Sequence, residues 1–334
     1  MSENRRSRID LGERVDHGRS SIFCRTQTFT QERFALNLSI PNLVQLTKTF
    51  KECGLLGRSL KACCLSPLNN FDYSELSLKS YSKKLVQHLT NLHLGPAAHF
   101  RVEFATVEGL AQTPHDSAAV RITVLYKVRG RERVFYRGLL LSWNCAQPAP
   151  YAGCVPLSLA LCHGSRTAVE LVHAMLARSF DCAAGGLAVD HKDLVCLYVA
   201  LAHGSRPAGG RRQWLELHYQ LPGPAAGDEA VLLLPVQQQQ ELWHSLVNAE
   251  RSRVDMREVE AYYKCMMKHV LETYGMDVGS LRLVKVRLPS ATVSADGRVR
   301  ASTPEALVAV LNLLSDLSSR LESARSAMSP PDRS

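Results

Sequence analysis

Apolar residues follow two different spacings along the chain, and the change from one to the other separates helices from strands. Apolar positions recur every three or four residues between Leu78 and Leu89, which predicts an amphipathic α-helix. Apolar and polar residues instead alternate over 99–110, 119–143 and 211–221, as they do in half-buried strands. These elements come in mixed blocks rather than in strict β-α-β alternation. The pattern therefore predicts an α+β fold.

Two helix starts carry capping signals, whereas one apolar segment has no clear period. Asp72 with Glu75, and Thr167 with Glu170, have the spacing of a capping box. The type of the apolar element at 191–203 stays open, because a short apolar run suits a buried strand or a buried helix.

The pattern divides the chain into four regions. Residues 1–38 mix charges with Ser and Thr without a sustained period, which predicts a disordered N-terminal tail. An α+β region is expected over 39–230, and a helix–β-hairpin–helix region over 231–322. Residues 323–334 contain two adjacent prolines and are expected to form a second disordered tail.

Positive charge is concentrated in two predicted hairpins. The 334 residues carry a formal net charge of +9 and a pI near 9.1, which favours an acidic partner such as nucleic acid or an anionic membrane surface. Basic residues cluster in the hairpins at 119–143 and 281–301. The N-terminus has no apolar signal-peptide core, and apolar runs such as 194–202 are too short to span a bilayer. We therefore expect a soluble, intracellular protein that does not enter a membrane.

The hairpin at 281–301 combines a basic face with an apolar one. Its basic positions are Lys285, Arg287, Arg298 and Arg300, and its apolar positions on the opposite face are Val284, Val286, Leu288 and Val299. If the two strands pair across the "SADG" turn, four cations converge on one patch that suits the phosphates of a nucleic-acid backbone. The alternatives are a solvated strand face and a surface that grips an acidic partner protein.

Enzyme motifs are sparse in this sequence. It contains no glycine-rich nucleotide loop and no HExxH pair. Its ten cysteines form no CxxC pair, so we expect reduced thiols, no metal and no cofactor. Cys182 and His191, with Asp181 and Asp190, suggest a hydrolase nucleophile and base. The alternative is a buried thiol and a helix cap, and we expect no catalytic residue.

Several stretches together resemble the centromere protein L family of the inner kinetochore. They are "LSPLNNFDYSELSLKSYSKKL" (65–85), "VPLSLA" (155–160), "SFDC" with the downstream Leu187, "ELWHSL" (241–246), "VEAYYKCMMKHV" (259–270), "LRLVKVRLPSATVSADGRVR" (281–300) and "ALVAVLNLLSDL" (306–317). Their order and spacing agree with the family from residue 55 to residue 320. The chain departs from the family pattern at Gly185-Gly186 and at Leu60, which affects local turns and packing.

The resemblance implies a non-enzymatic protein with a mixed, largely antiparallel curved sheet packed against helices. It also implies a heterodimer with centromere protein N, contacts with other constitutive centromere network subunits including centromere protein C, and a basic groove for centromeric DNA beside the nucleosome. The implied location is the nucleus, at the kinetochore, in support of kinetochore assembly and chromosome segregation in mitosis. Lys285, Arg298, Arg300 and Arg133 fall on basic positions of the family. We expect the partner interface within 235–320, with Val284, Val286, Leu288 and Val299 as candidate contacts.

Overall fold

The computed structural model describes most of the chain from residue 42 onward. The described ranges are 42–92, 99–128, 130–145, 152–204, 213–223, 228–246 and 256–328. The predicted tail at 1–38 lies outside them.

Helices and strands alternate irregularly along these ranges. The described helices are α1 (Leu43–Glu52), α2 (Glu75–Asn91), α3 (Arg166–Phe180), α4 (His191–Gly204), α5 (Val236–Leu246), α6 (Met256–Tyr274) and α7 (Pro304–Met328). The described strands are β1 (Leu60–Leu65), β2 (Leu68–Asn69), β3 (His99–Val107), β4 (Ala119–Val128), β5 (Arg131–Leu141), β6 (Cys154–Val155), β7 (Leu159–Gly164), β8 (Ala184–Gly186), β9 (Trp214–Gln220), β10 (Glu229–Pro235), β11 (Arg282–Arg287), β12 (Ala291–Ser294) and β13 (Arg298–Ala301). Eleven of these strands belong to a largely antiparallel sheet that does not close into a barrel, and β2 pairs separately with β6. The predicted α+β class is confirmed.

The described chain divides into two compact units. The first unit comprises 189–296 and 301–309, and the second comprises 42–188, 297–300 and 310–328. The predicted region boundary between residues 230 and 231 falls inside β10.

The first unit is a four-stranded antiparallel array with buried tyrosines. Its strands run in the order β10-β9-β11-β12. The hydroxyl of Tyr198 is hydrogen-bonded to that of Tyr262, which also donates to Gln239 Oε1 at 2.8 Å. The hydroxyls of Tyr219 and Tyr263 lie 3.2 Å apart. Each buried phenol thus has a polar partner, as burial of an O–H group requires.

The second unit has helices on both faces of its strands, which run in the order β13-β1-β7-β5-β4-β3. Side chains of α2 and α3 pack with those of β1, β4, β5 and β7 in one apolar cluster. On the other face, Phe50 of α1 lies 6.3 Å from Trp143, measured between ring centroids. Trp143 Nε1 donates to Asn312 Oδ1 of α7 at 2.7 Å. The strand faces of this unit are therefore largely covered by its own helices.

Local details differ from the sequence-based expectations at four places. The cap of α2 is Ser74, which accepts from the Ser77 amide, and the cap of α3 is Ser165. Both predicted capping boxes were therefore wrong in register, because a serine that can accept from the third amide stands close by in each case. The element at 191–203 is helix α4, and α7 continues to Met328 beyond the predicted tail boundary. None of the helices in the described ranges is both long and apolar enough to cross a bilayer.

Candidate nucleic-acid interface

Lys285 and Arg287 lie on β11 in the first unit, on the strand face that points away from the core. Between them Val286 is only 1% exposed. The pairing with β9 shifts register between Leu283 and Lys285, which leaves Val284 as an extra residue. Leu283 and Val286 can therefore both point inward, and the simple alternation predicted from Val284 to Leu288 is interrupted at this bulge.

Acidic side chains flank these two cations. Arg287 lies opposite Glu216 of β9, and its Nη1 is 3.3 Å from Glu216 Oε2. Lys285 lies opposite His218, whose Nδ1 is 2.8 Å from Glu229 Oε2 and whose Nε2 is 3.5 Å from Glu216 Oε2. The charge of Arg287 is thus partly balanced by a neighbouring carboxylate. Of the two predicted cations, Lys285 is the better placed to meet a phosphate.

Arg298 and Arg300 lie on β13 in the second unit, and both side chains are exposed. Lys61 of β1 lies directly opposite Arg298, so it adds a cation to the same face. The sequence analysis missed Lys61, although a single lysine inside the apolar strand "LKACCL" is a signal that one position of that strand reaches water.

The first residue before β13 is a glycine for a steric reason. Gly297 has a φ of +77°, and a Cβ at this position would overlap the carbonyl oxygen of Leu187. The Gly297 carbonyl accepts a hydrogen bond of 2.8 Å from the Ala62 amide. This contact holds the register in which Arg298 faces Lys61.

The expected pairing of 281–288 with 298–300 was wrong. The hairpin partner of β11 is β12, with Lys285 opposite Ser294, and the "SADG" turn follows β12. Within its own unit, β13 instead pairs with β1. An additional strand was overlooked because "PS" at 289–290 was not recognised as a turn.

Arg133 lies near the start of β5, exposed and opposite Tyr126 of β4. The register of β4 and β5 shifts by one residue, which leaves Phe135 as an extra residue in β5. Its ring packs edge-on against Phe100 at 5.4 Å between centroids. After this bulge Arg137 points to the opposite face from Arg133. The basic residues of this hairpin therefore serve two different faces.

Arg58, Arg121 and Arg137 surround a shallow cleft in the second unit, which the sequence analysis did not group. Arg137 Nη1 and Arg58 Cζ both lie 3.4 Å from the point that a Cβ at Gly54 would occupy. Burial, and then the charges of Arg58 and Arg121, lower the pKa of Arg137. Glu103 is 3.9 Å from Arg121. Three guanidinium groups in this arrangement form a second candidate site for an anion.

The apolar residues predicted to contact a partner are mostly part of the core of this chain. Val286, Leu288 and Val299 are 1%, 4% and 2% exposed, respectively. Their strands use that face to pack internally, so these three side chains are not available on the surface. Val284 is half-buried at the bulge.

The hydrolase alternative gains no support from either of its residues. Burial, together with the charge of Asp181, raises the pKa of the Cys182 thiol to about 11, so a nucleophilic thiolate is disfavoured. His191 Nδ1 accepts a hydrogen bond of 3.0 Å from the Leu283 amide. That nitrogen is therefore occupied by a structural contact.

Comparison with known proteins agrees with the resemblance in the sequence. A family model described as Centromere protein L matches residues 54–323. The chain belongs to the centromere protein L family. The Centromere protein L of Danio rerio is 28% identical over 282 residues, which cover 78% of this chain and 75% of that protein. The Centromere protein L of Rattus norvegicus is 24% identical over 298 residues, which cover 83% of this chain and 84% of that protein.

The matched region contains all thirteen described strands and residues of both units. Centromere protein L proteins are structural kinetochore proteins, so membership supports a structural role for this chain at the centromere and kinetochore of the chromosome.

Proposed function

We propose that this chain is a non-enzymatic scaffold subunit that pairs with centromere protein N and contacts centromeric DNA through its phosphates, without reading the base sequence. In the nucleus, the pair would join other centromere network subunits, including centromere protein C, and support kinetochore assembly and chromosome segregation. Family membership supports the setting, and the cationic strand faces support the contact with DNA.

One observation carries the proposed contact with DNA. Lys61, Arg298 and Arg300 lie on two directly paired strands, and neither strand contains an acidic residue. Cations fixed on rigid strands meet phosphate oxygens at a small cost in side-chain ordering. Lys285 in the first unit and the arginine cleft in the second are additional candidates, since phosphates recur along a DNA strand.

The salt dependence of DNA binding tests this proposal. Binding of a short duplex by the complex with centromere protein N is measured across a range of salt concentrations. The variant with Lys61, Arg298 and Arg300 changed to Ala should lose tenfold or more in affinity at moderate salt. The magnitude of its log–log salt slope should fall by up to about 2.7, because each phosphate contact contributes about 0.9 on B-form DNA. The single change Lys285→Ala should lower the slope by about 0.9.

A matched control removes the same charge from other surfaces. Lys79, Lys264 and Lys268 form ion pairs with glutamates on the exposed faces of α2 and α6. Their triple Ala variant should keep the parental slope if position rather than net charge matters. A slope that falls equally in both variants would leave only a general electrostatic attraction, and an unchanged slope in the first variant would overturn the proposed contact.

The competing function is a protein-only scaffold whose cations grip an acidic partner protein. Under that alternative, the Lys61, Arg298 and Arg300 variant would bind DNA as the parent does and would lose affinity for a subunit of the network. The same variant, assayed by co-purification with centromere proteins N and C, separates the two functions.

A further inference from the structure

Four polar side chains meet inside the apolar core of the second unit. They are Cys63 of β1, Tyr136 of β5, Cys162 of β7 and His173 of α3, and all four are buried. The ligand atoms of Cys63, Cys162 and His173 lie within 4.8 Å of one another. In the described part of the chain, this is the group of Cys, His and acidic residues whose spacing suits a metal ion.

The strand register brings the two thiols together. Cys63 pairs with Ala160, and Cys162 lies two residues further along β7, so the thiols are diagonal neighbours on one face. Gly138 of β5 lies directly opposite Cys162 on its other side. The sheet therefore leaves a gap beside Cys162 where another side chain would otherwise stand.

The ring of Tyr136 fills the gap at Gly138. A Cβ at residue 138 would overlap the Tyr136 hydroxyl, so the ring can lie along β5 only because this residue is glycine. The hydroxyl is thereby held 3.2 Å from Cys162 Sγ and 3.4 Å from His173 Nε2. A helix and three strands thus converge on one point.

The spacing of these atoms matches the edges of a tetrahedral zinc site. With Zn–S near 2.3 Å and Zn–N near 2.05 Å, tetrahedral angles place sulfur and nitrogen about 3.5 Å apart. Cys162 Sγ and His173 Nε2 are 3.5 Å apart. The 3.4 Å between Tyr136 oxygen and His173 nitrogen is longer than the usual hydrogen bond between such groups.

The protonation of the group also suits a cation. Burial lowers the pKa of His173 to about 4, so its imidazole is neutral at cellular pH. The hydrogen bond with Cys162 lowers the pKa of Cys63, although burial opposes this effect. Two thiolates would balance the charge of one divalent ion, which limits the cost of burying it.

We propose that Cys63, Cys162 and His173, with the Tyr136 hydroxyl as the fourth group, form a structural zinc site that ties α3 to β1, β5 and β7. Thiolate and imidazole ligands select zinc among the abundant divalent ions of the cell, and four protein groups leave no open position for catalysis. The sequence analysis expected no metal because it looked for closely spaced pairs. Here the ligands come from three separate elements. This inference is independent of the proposed contact with DNA.

Metal analysis of the purified full chain tests the site. The protein is produced in zinc-supplemented medium without a histidine tag, and its zinc content is measured by mass spectrometry. We expect about one zinc per chain in the parent. Cys63→Ala should abolish it, whereas Cys64→Ala should retain it. Cys64 is the matched control because it is the neighbouring buried thiol of β1 and faces the other side of the strand.

A second measurement does not depend on the folding of a variant. The parent is unfolded with a chelator and refolded with cobalt(II), which should produce the visible absorption bands of tetrahedral thiolate coordination. A folded parent that contains no zinc and shows no such bands would overturn the proposal. So would a Cys63→Ala variant that keeps the zinc of the parent.

Discussion

The charge on the outer face of β9 and β11 depends on which side chains stand opposite each other. Alternation in the sequence correctly places Lys285 and Arg287 on a strand and away from its core. It does not show that Glu216 lies beside Arg287, because the two residues are 71 positions apart. It also does not show that Lys61 faces Arg298. Neighbours across strands therefore decide which predicted cations remain available, and a single sequence does not contain that pairing.

Removing the carboxylate of Glu216 should strengthen DNA binding. Glu216→Gln takes away the negative charge 3.3 Å from Arg287 and leaves the side chain nearly the same size. We expect the magnitude of the log–log salt slope to rise by about 0.9, since Arg287 then becomes available for a phosphate. An ion pair of this exposure contributes about 1 kcal/mol or less to folding, so stability should change little. The measurement is the same salt titration of DNA binding by the heterodimer.

The control for this change is Glu75→Gln, which removes an acid paired with Lys79 on the exposed surface of α2. An equal rise in both variants would indicate net charge alone. If neither rises, Arg287 faces something other than DNA.

Helix α4 shows why some elements are harder to predict than others. Its residues from Leu194 to Ala202 are all buried, so the segment has no polar face and no helical period to detect. Helix α2 has a solvent face and was correctly predicted from its stripe. The bulges at Val284 and Phe135 were also not predicted, because an extra residue in a strand changes no composition. Their effect is to reverse which side chains face outward.

The first residue of α4 should make folding of the first unit depend on pH. His191 Nδ1 accepts from the Leu283 amide of β11, and burial lowers the pKa of this imidazole, with smaller opposing and reinforcing effects from Asp190, Arg282 and Lys192. A lowered folded-state pKa means that the contribution is complete above the unfolded value of about 6.5 and is lost as the pH falls below it.

The test compares urea denaturation midpoints at about pH 7.5 and about pH 5.5, on either side of that value. His191→Asn keeps an acceptor near the amide and cannot titrate, so it should lose part of the decline at the lower pH. The exposed His269 provides the control, and His269→Asn should decline as the parent does. Equal declines in all three proteins would show that the contact between α4 and β11 does not sense pH.

At the scale of the whole molecule, the path of the chain explains why the predicted regions differ from the observed units. Residues 297–300 belong to the second unit, whereas the residues on both sides of them belong to the first. A boundary inferred from composition cuts the chain once and does not detect such returns. The α+β class and the family were predictable, because they depend on the order of elements and on motifs along the chain. The pairing of β13 with β1 depends on contacts between distant segments.

Each unit has a strand at the end of its array that is a candidate for pairing with another chain. Among the described residues, β10 pairs with β9, and β3 pairs with β4. The other edge of each strand presents backbone groups to which a partner can add a strand. Because the expected interface lies within 235–320, which adjoins β10 along the chain, we expect centromere protein N to add a strand beside β10. Hydrogen exchange measured with and without centromere protein N should then show slower exchange over 229–235 and no change over 99–107. Protection confined to 99–107 would instead place the interface on the second unit, and protection of neither strand would exclude strand addition at these edges.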